Sequence, residues 1–349
     1  MVAAITRQSH LKRWLFCCVL FCSALLAACS EAPVPVELSG RTMGTTWHVT
    51  YVPSAGFEPA TGVQQQIERI LEDVNLSMST YRPDSEISRF NALQQNQWYP
   101  VSEGFMAVLQ AAMLIGDASD GAYDVTVGPV VNLWGFGPAA AIDTVPDKNE
   151  LLSLLQRIGQ DKLRLDKEKQ QILKTDMLSL DFSSIAKGYG VDKVADWLTS
   201  RGLADYLVEV GGEMRLAGLN PHGVPWRIAI EAPDSTIGSV AMAISLSDQA
   251  LATSGDYRNY FEVDGKRYSH TIDPRTGYPI EHDLVSVTVV HPSAMIADGW
   301  ATAFMVMGAA DAMKVALEQG LAVYFIRRTQ GNYTGSHSPQ FEPFLEASQ

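Results

Sequence analysis

All four cysteines of this 349-residue chain, Cys17, Cys18, Cys22 and Cys29, fall within its first 29 residues. From Ser30 onward there is no thiol, so that part must fold on hydrophobic burial and hydrogen bonding alone. Disulfide staples, thiolate metal sites and cysteine nucleophiles are excluded from it. A chain of this length with 46% hydrophobic and 19% charged residues can bury a sizeable core, as one large or two ordinary domains. The same balance excludes a disordered chain, a collagen-like repeat and a multi-span membrane protein. Its 26 Lys and Arg against 39 Asp and Glu give a net charge of −13, with no basic excess to neutralise nucleic-acid phosphates. No nucleic-acid partner is expected.

Arg7, Lys12 and Arg13 make a positive start, and Trp14 to Leu26 are almost wholly apolar. That run is too short for a stable spanning helix and reads as the hydrophobic region of a secretory signal. It ends in Leu26-Ala27-Ala28-Cys29, small residues and a cysteine that resemble the lipobox of bacterial lipoproteins. On this reading residues 1–28 are a removed signal peptide and Cys29 is lipidated as the new N-terminus. Residues 29–36 are then a tether, and residues 37–345 form one catalytic domain. The alternatives are a cleaved signal with an incidental cysteine, or an uncleaved anchor. Loss of Arg7, Lys12 and Arg13 would take the charge from −13 to −16. The anchored protein would face the periplasm. An Asp after the cysteine would favour inner-membrane retention, so Ser30 leaves outer-membrane sorting open.

The rest contains no internal repeat or low-complexity stretch. Thr45 to Val52 reads as a strand. Val63, Ile67, Ile70, Leu71 and Val74 recur at helical spacing over roughly residues 62–77. A second helix follows Ser102, and a third runs from an Asp147/Glu150 capping box to Gly159. A fourth spans about Ser184 to Arg201. Strands are expected at Trp226–Glu231, at Val240–Leu246 and along Val285, Val287 and Val289. Asp264-Gly265 marks a hairpin between Tyr260–Val263 and Lys266–Ser269. Helices from Ser293 and over Ala309–Gln319 precede a buried strand at Leu321–Ile326. Helices and hairpins without a βαβ rhythm predict an α+β fold, with mixed or antiparallel sheets and packed helices, rather than a Rossmann wrap.

Six segments are too rich in Gly, small polar and ionisable residues to be ordinary core. In Arg41-Thr42-Met43-Gly44-Thr45-Thr46, Met43 offers apolar surface to a flat ring, or the segment is a plain turn. Tyr81, before the Pro83 turn, is either a stacking residue or a rim tyrosine. Gly121-Ala122-Tyr123-Asp124-Val125-Thr126-Val127-Gly128-Pro129 and its continuation to Pro138 suit a planar polar heterocycle, or form an Ω-loop packed on itself. Asp181-Phe182-Ser183-Ser184-Ile185-Ala186-Lys187-Gly188 puts a lysine at a helix start. Free N–H groups and the helix dipole there would attract phosphate; a capped helix with a solvated lysine is the plainer alternative. Glu209-Val210-Gly211-Gly212-Glu213 ends a strand that could line the same cleft. His270, between a strand and a Pro/Gly turn with Ser269 and Asp273 nearby, suits a base poised by a carboxylate, or a structural histidine. Asp298 and Thr302, four apart on a helix, share a face that suits Mg²⁺. The stripe Ile296, Trp300, Ala303 and Met307 places that pair away from part of the core. The dipole alone would also favour an acid at position 298.

Together and in this order, these segments resemble the ApbE family of FAD:protein FMN transferases, over roughly Val36 to Phe344. Met-Gly-Thr, Gly-Ala-Tyr-Asp-Val-Thr-Val-Gly-Pro, Ile-Ala-Lys-Gly-Tyr, Val-Gly-Gly-Glu, Ser-His-Thr-Ile-Asp-Pro and Ala-Asp-Gly-Trp-Ala-Thr carry the resemblance. It implies Mg²⁺-dependent cleavage of FAD, with FMN passing to a Ser or Thr hydroxyl of a target flavoprotein as a phosphoester and AMP leaving. It implies FAD contacts at Met43, Tyr81, Ala122, Tyr123, Asp124, Asp181, Lys187 and Ile272. It implies an Mg²⁺ site at Asp298, Thr302 and the Ser184 carbonyl, with His270 and Lys187 catalytic. Acceptors would be flavoprotein subunits of NADH:quinone reductase or Rnf type, and the usual location an inner-membrane lipoprotein. An Mg²⁺-dependent FAD pyrophosphatase and a non-catalytic flavin-binding lipoprotein are the alternatives.

Overall fold

The computed structural model describes residues 34–53, 62–138, 144–233, 240–256 and 260–345. The signal segment, Cys29 and Ser30 lie outside the described residues. Pairing begins earlier than the tether reading placed it. Val36–Thr42 (β1) runs antiparallel to Thr45–Val52 (β2), with Val36 opposite Tyr51. The connecting Met43-Gly44 turn has φ of 49° and 73°, which matches the two positive values of a tight hairpin.

These strands open an eight-stranded sheet. Its other members are Asp205–Val210 (β6), Glu213–Ala217 (β7), Gln249–Gly255 (β10), Leu284–His291 (β13), Ala322–Thr329 (β14) and Asn332–His337 (β15). The order is β1-β2-β6-β7-β10-β13-β14-β15, and every neighbouring pair is antiparallel. The expectation of an α+β, non-Rossmann fold holds. Tyr99–Pro100 (β3), Leu163–Asp166 (β4) and Gln171–Lys174 (β5) form a small sheet, and Trp226–Glu231 (β8) pairs with Val240–Leu246 (β9). Tyr260–Val263 (β11) and Lys266–Ser269 (β12) form a separate ribbon around Asp264 and Gly265, whose φ of 52° and 77° are the turn predicted from sequence.

Helices cover one face of the large sheet. Val63–Met78 (α1) and Ala186–Ser200 (α6) bury Ile67, Leu71, Val194 and Leu198 against Trp47, Val49 and Val208. Ala294–Met307 (α7) packs Ala297, Ala301 and Phe304 on Val287 and Val289, with Glu103–Ala118 (α3) in the same cluster. The β8–β9 hairpin covers the other face through Trp226, Ile228 and Ile244 against Leu251, Val290 and Tyr324. Strand β13 is therefore buried on both sides, and its Ser286 and Thr288 are as buried as the valines that alternate with them. No helix among the described residues is long and apolar enough to cross a membrane.

Two helix boundaries differ from expectation. Asp147 caps Lys148–Leu155 through the N–H groups of Asn149 and Glu150, but the helix stops before Ile158, which enters the core from a loop. Helix α6 starts at Ala186 rather than Ser184, because residues 183–185 form a turn.

Candidate active site

A cavity of about 450 Å³ opens where the start of α6, strands β7 and β10, the end of β12 and helix α7 meet the segment 122–137, which contains the short helix Gly128–Leu133. Its floor is a charge cluster. Lys187, the second residue of α6, places Nζ 3.0 Å from Glu213 Oε1 and 3.8 Å from Asp298 Oδ1. Asp298 Oδ2 accepts the Gly188 N–H at 3.0 Å. The polar pair on α7, Asp298 and half-buried Thr302, faces this cavity. Asp298 is 3% exposed, and α7 is buried around most of its circumference. A carboxylate tolerates that position only because Lys187 and the helix-start amide receive it. Burial raises the pKa of Asp298, and Lys187 and Gly188 pull it back.

The phosphate site expected at the start of α6 is thus partly filled from within, since Asp298 takes an N–H there. Lys187 is not a solvated lysine either. Burial opposes its charge, but Asp298 and Glu213 outweigh burial and keep its pKa above the ordinary value.

Glu213 has no role of its own in the sequence reading, although its segment is expected to line the cleft. It is 3% exposed and lines the cavity, and its Oε2 is buried with no hydrogen-bond partner. Burial pushes its pKa up to about 8, against the pull of Lys187 and with the push of Asp298. An acid whose folded pKa is raised holds its proton better in the folded state than in the unfolded one, so stability is lost as pH rises between the two values. The metal-free protein should therefore lose stability between about pH 4.5 and about 8. Glu213→Gln should flatten that part of the profile. Thermal unfolding of both proteins across this window checks it.

The donor set around Asp298 fits a hard divalent cation. Thr302 Oγ1 lies 3.2 Å from Ser254 Oγ. If the threonine donates to Ser254, a lone pair on Thr302 is left for a metal. Asp298 Oδ2 is committed to the backbone, so Oδ1 is the oxygen left to coordinate. Ser184, whose carbonyl completes the expected set, lines the same cavity, and its Oγ is 2.9 Å from the Tyr123 hydroxyl. All these donors are oxygens, as Mg²⁺ requires. Among the described residues, no group of three His, Cys, Asp or Glu side chains forms a metal cluster.

The walls are stiffened by local hydrogen bonds. Asp124 Oδ1 accepts from the Thr126 N–H and hydroxyl at 2.8 and 2.7 Å, and burial raises the Asp124 pKa against them. Asp181 Oδ1 accepts the Ser183 N–H at 2.8 Å. Asn91 clamps the preceding residue, donating to the Leu180 carbonyl and accepting its N–H at 2.9 and 2.7 Å. Buried Lys174 in turn holds the Asn91 carbonyl at 2.8 Å.

His270 enters from the ribbon side, just beyond β12. Trp134 Nε1 donates to the Gly277 carbonyl at 2.8 Å, and its ring packs on Phe261, Tyr268 and Tyr278. Phe136 presents its ring edge-on to His270 at 6.3 Å. The carboxylate expected to poise this histidine is engaged elsewhere, because Asp273 accepts two guanidinium bonds and a backbone bond from Arg275. Residues 257–259, which lead into β11, lie outside the described residues.

The matches to known proteins follow this geometry. Residues 43–325 match the ApbE family. The chain belongs to the ApbE family. A Vibrio cholerae relative named FAD:protein FMN transferase is 48% identical, covering 96% of this chain and 99% of its own. An Escherichia coli K12 relative of the same name is 39% identical, covering 92% and 96%. The solved Flavin Transferase ApbE from Vibrio cholerae superposes with a TM-score of 0.84 at 47% identity, covering 89% of this chain and 99% of that one. The apo form of Pseudomonas stutzeri flavinyl transferase ApbE gives 0.84 at 40% identity, covering 90% and 98%.

Of the positions that the ApbE family resemblance assigned to FAD, Ala122, Tyr123, Asp124, Asp181, Lys187 and Ile272 line the cavity. Tyr81 also lines it while 68% exposed, and so stands at its rim. Tyr123 is almost fully buried, which raises its pKa against the pull of its Ser184 bond. Met43 is not brought to the cavity wall. It packs on α6 at Gly190, where an added Cβ would lie 3.1 Å from the methionine methyl.

Proposed function

We propose that this chain is an Mg²⁺-dependent FAD:protein FMN transferase. The observation that carries the proposal is one cavity joining the Lys187–Glu213–Asp298 cluster and Thr302 to His270, in a chain whose ApbE family relatives bear that name. Asp298 Oδ1, Thr302 Oγ1 and the Ser184 carbonyl would hold the cation. When bound it would offset negative charge on the pyrophosphate. Lys187, 3.8 Å from Asp298 Oδ1, supports the same end, and Asp298 and Glu213 keep its pKa above the ordinary lysine value. Tyr81, Ala122, Tyr123 and Ile272 provide the ring and apolar surface for the flavin end.

In the proposed reaction a Ser or Thr oxygen of the acceptor bonds to the FMN-side phosphorus. The bond from that phosphorus to the bridging oxygen breaks, and AMP leaves with the bridging oxygen. An imidazole nitrogen of His270 takes the hydroxyl proton, since a neutral hydroxyl is a poor nucleophile. The acceptors proposed are flavoprotein subunits of NADH:quinone reductase or Rnf-type complexes. Incubation with FAD, Mg²⁺ and such a subunit should give an in-gel fluorescent band and an acceptor mass gain of one FMN. Free FMN without an adduct would point to hydrolysis instead, and intact FAD to storage.

The lipobox supports a further proposal, that Cys29 is lipidated and anchors the enzyme to a membrane facing the periplasm. The membrane-fraction protein should carry a mass increment on Cys29 that disappears in Cys29→Ala, with release into the soluble fraction. An unmodified Cys29 in that fraction would overturn it.

A further inference from the structure

Helices α6 and α7 cap each other. Asp298 of α7 accepts the Gly188 N–H near the start of α6. In return, Asp192 of α6 receives the start of α7. Asp192 Oδ2 accepts from the Ser293 hydroxyl at 2.6 Å and the Met295 N–H at 3.0 Å. Asp192 Oδ1 accepts the Ala294 N–H at 3.0 Å. The Ser293 hydroxyl accepts the Ile296 N–H, and His291 Nδ1 accepts the Ser293 N–H at 3.0 Å. All four otherwise unpaired N–H groups of the first turn are thereby satisfied. The backbones touch at this point, since a Cβ on Gly188 would lie 2.3 Å from the Ala294 carbonyl oxygen.

A third element joins through the same carboxylate. Arg215 of β7 donates to Asp192 Oδ1 at 3.1 Å. Arg215 is two residues from Glu213 and so points to the same side of the strand. Asp192 itself does not line the cavity. Yet it binds together the three elements that carry Lys187, Glu213, and Asp298 with Thr302. We infer that Asp192 is a positioning residue for the cation site, setting the register of α7 against α6 and β7 so that Asp298 Oδ1 and Thr302 Oγ1 converge. Outer partners of metal ligands commonly change metal affinity by about 10- to 100-fold when altered.

This inference rests on the proposed Mg²⁺ site, and its test keeps the two apart. Mn²⁺ binding to the full-length protein, without FAD, is followed by electron paramagnetic resonance for wild type, Asp192→Asn and Arg215→Met. Asparagine keeps the shape but turns one acceptor into a donor facing donors, so Asp192→Asn should weaken Mn²⁺ about tenfold or more. Arg215→Met should weaken it less. FAD affinity in chelator should stay within about twofold of wild type, and excess Mg²⁺ should restore turnover. A residue that only supports folding would lower the unfolding temperature and leave the Mn²⁺ affinity of the folded fraction unchanged. Unshifted Mn²⁺ affinity in folded Asp192→Asn overturns the inference. Where that variant fails to fold, unshifted affinity in Arg215→Met does so. Absence of Mn²⁺ binding by the wild-type protein overturns the proposed cation site and this inference with it.

Discussion

Asp298→Asn folds with near-native stability and loses metal-dependent turnover by about a thousandfold or more, in line with the several kcal/mol that a Lewis-acidic cation contributes to a charged transition state. The choice of asparagine matters because Asp298 has two tasks. Its Oδ2 caps Gly188 and its Oδ1 faces Lys187. Asparagine can still accept the Gly188 N–H through its carbonyl oxygen, so the α6–α7 contact survives while the charge is lost. Asp298→Ala removes both and should also destabilise the fold by about 1–3 kcal/mol, because a buried N–H is left unpaired. Losing the Asp298 charge also removes its push on the Glu213 pKa, so Lys187 and Glu213 become a simple pair. Turnover of FAD against Mg²⁺ concentration, beside thermal unfolding of both variants, separates the two tasks. Wild-type turnover in Asp298→Asn would sink the metal assignment.

His270→Ala retains FAD binding and slows flavin transfer by about 10²- to 10⁴-fold, the range for a general base. Binding should persist because the histidine arrives on the β11–β12 ribbon, apart from the Lys187 cluster and the Asp124 and Asp181 loops. The Asp124–Thr126 and Asp181–Ser183 bonds in those loops do not involve the histidine. Raising the pH should partly recover the variant, since hydroxide then supplies the lost basicity. Flavin fluorescence titration measures the first effect and single-turnover labelling of an acceptor the second. Loss of FAD affinity together with transfer would place His270 among the binding residues instead.

Much of the fold was legible because its signals are local. Asp264-Gly265 encodes a turn with two positive φ values, Ser102 and Ser293 cap the helices that follow them, and β8 and β9 alternate cleanly. Strand β1 was not legible. It is an edge strand, half-exposed along its length, and its Val-Glu-Leu-Ser-Gly-Arg-Thr sequence offers no buried stripe to set it apart from a tether. The site residues were legible as motifs, but their relations were not. That Asp298 is buried follows from Lys187 and Gly188, far away in sequence. Glu213 stood in view after Gly211-Gly212, yet only the fold shows that its carboxylate turns inward to the lysine. Asp273 lies three residues from His270 in sequence, and only the fold shows that it accepts the Arg275 guanidinium.

The aromatic clamp of Trp134, Phe261 and Tyr268 has an evolutionary corollary. It fastens the histidine ribbon to the C-terminal end of the short helix Gly128–Leu133, whereas the lysine and its two acids are locked into the large sheet and its helices. On the proposed mechanism, proton removal and phosphate grip would thus sit on separately fastened parts. A change of sequence in the ribbon could re-aim it towards a new client hydroxyl while leaving the proposed dinucleotide grip untouched.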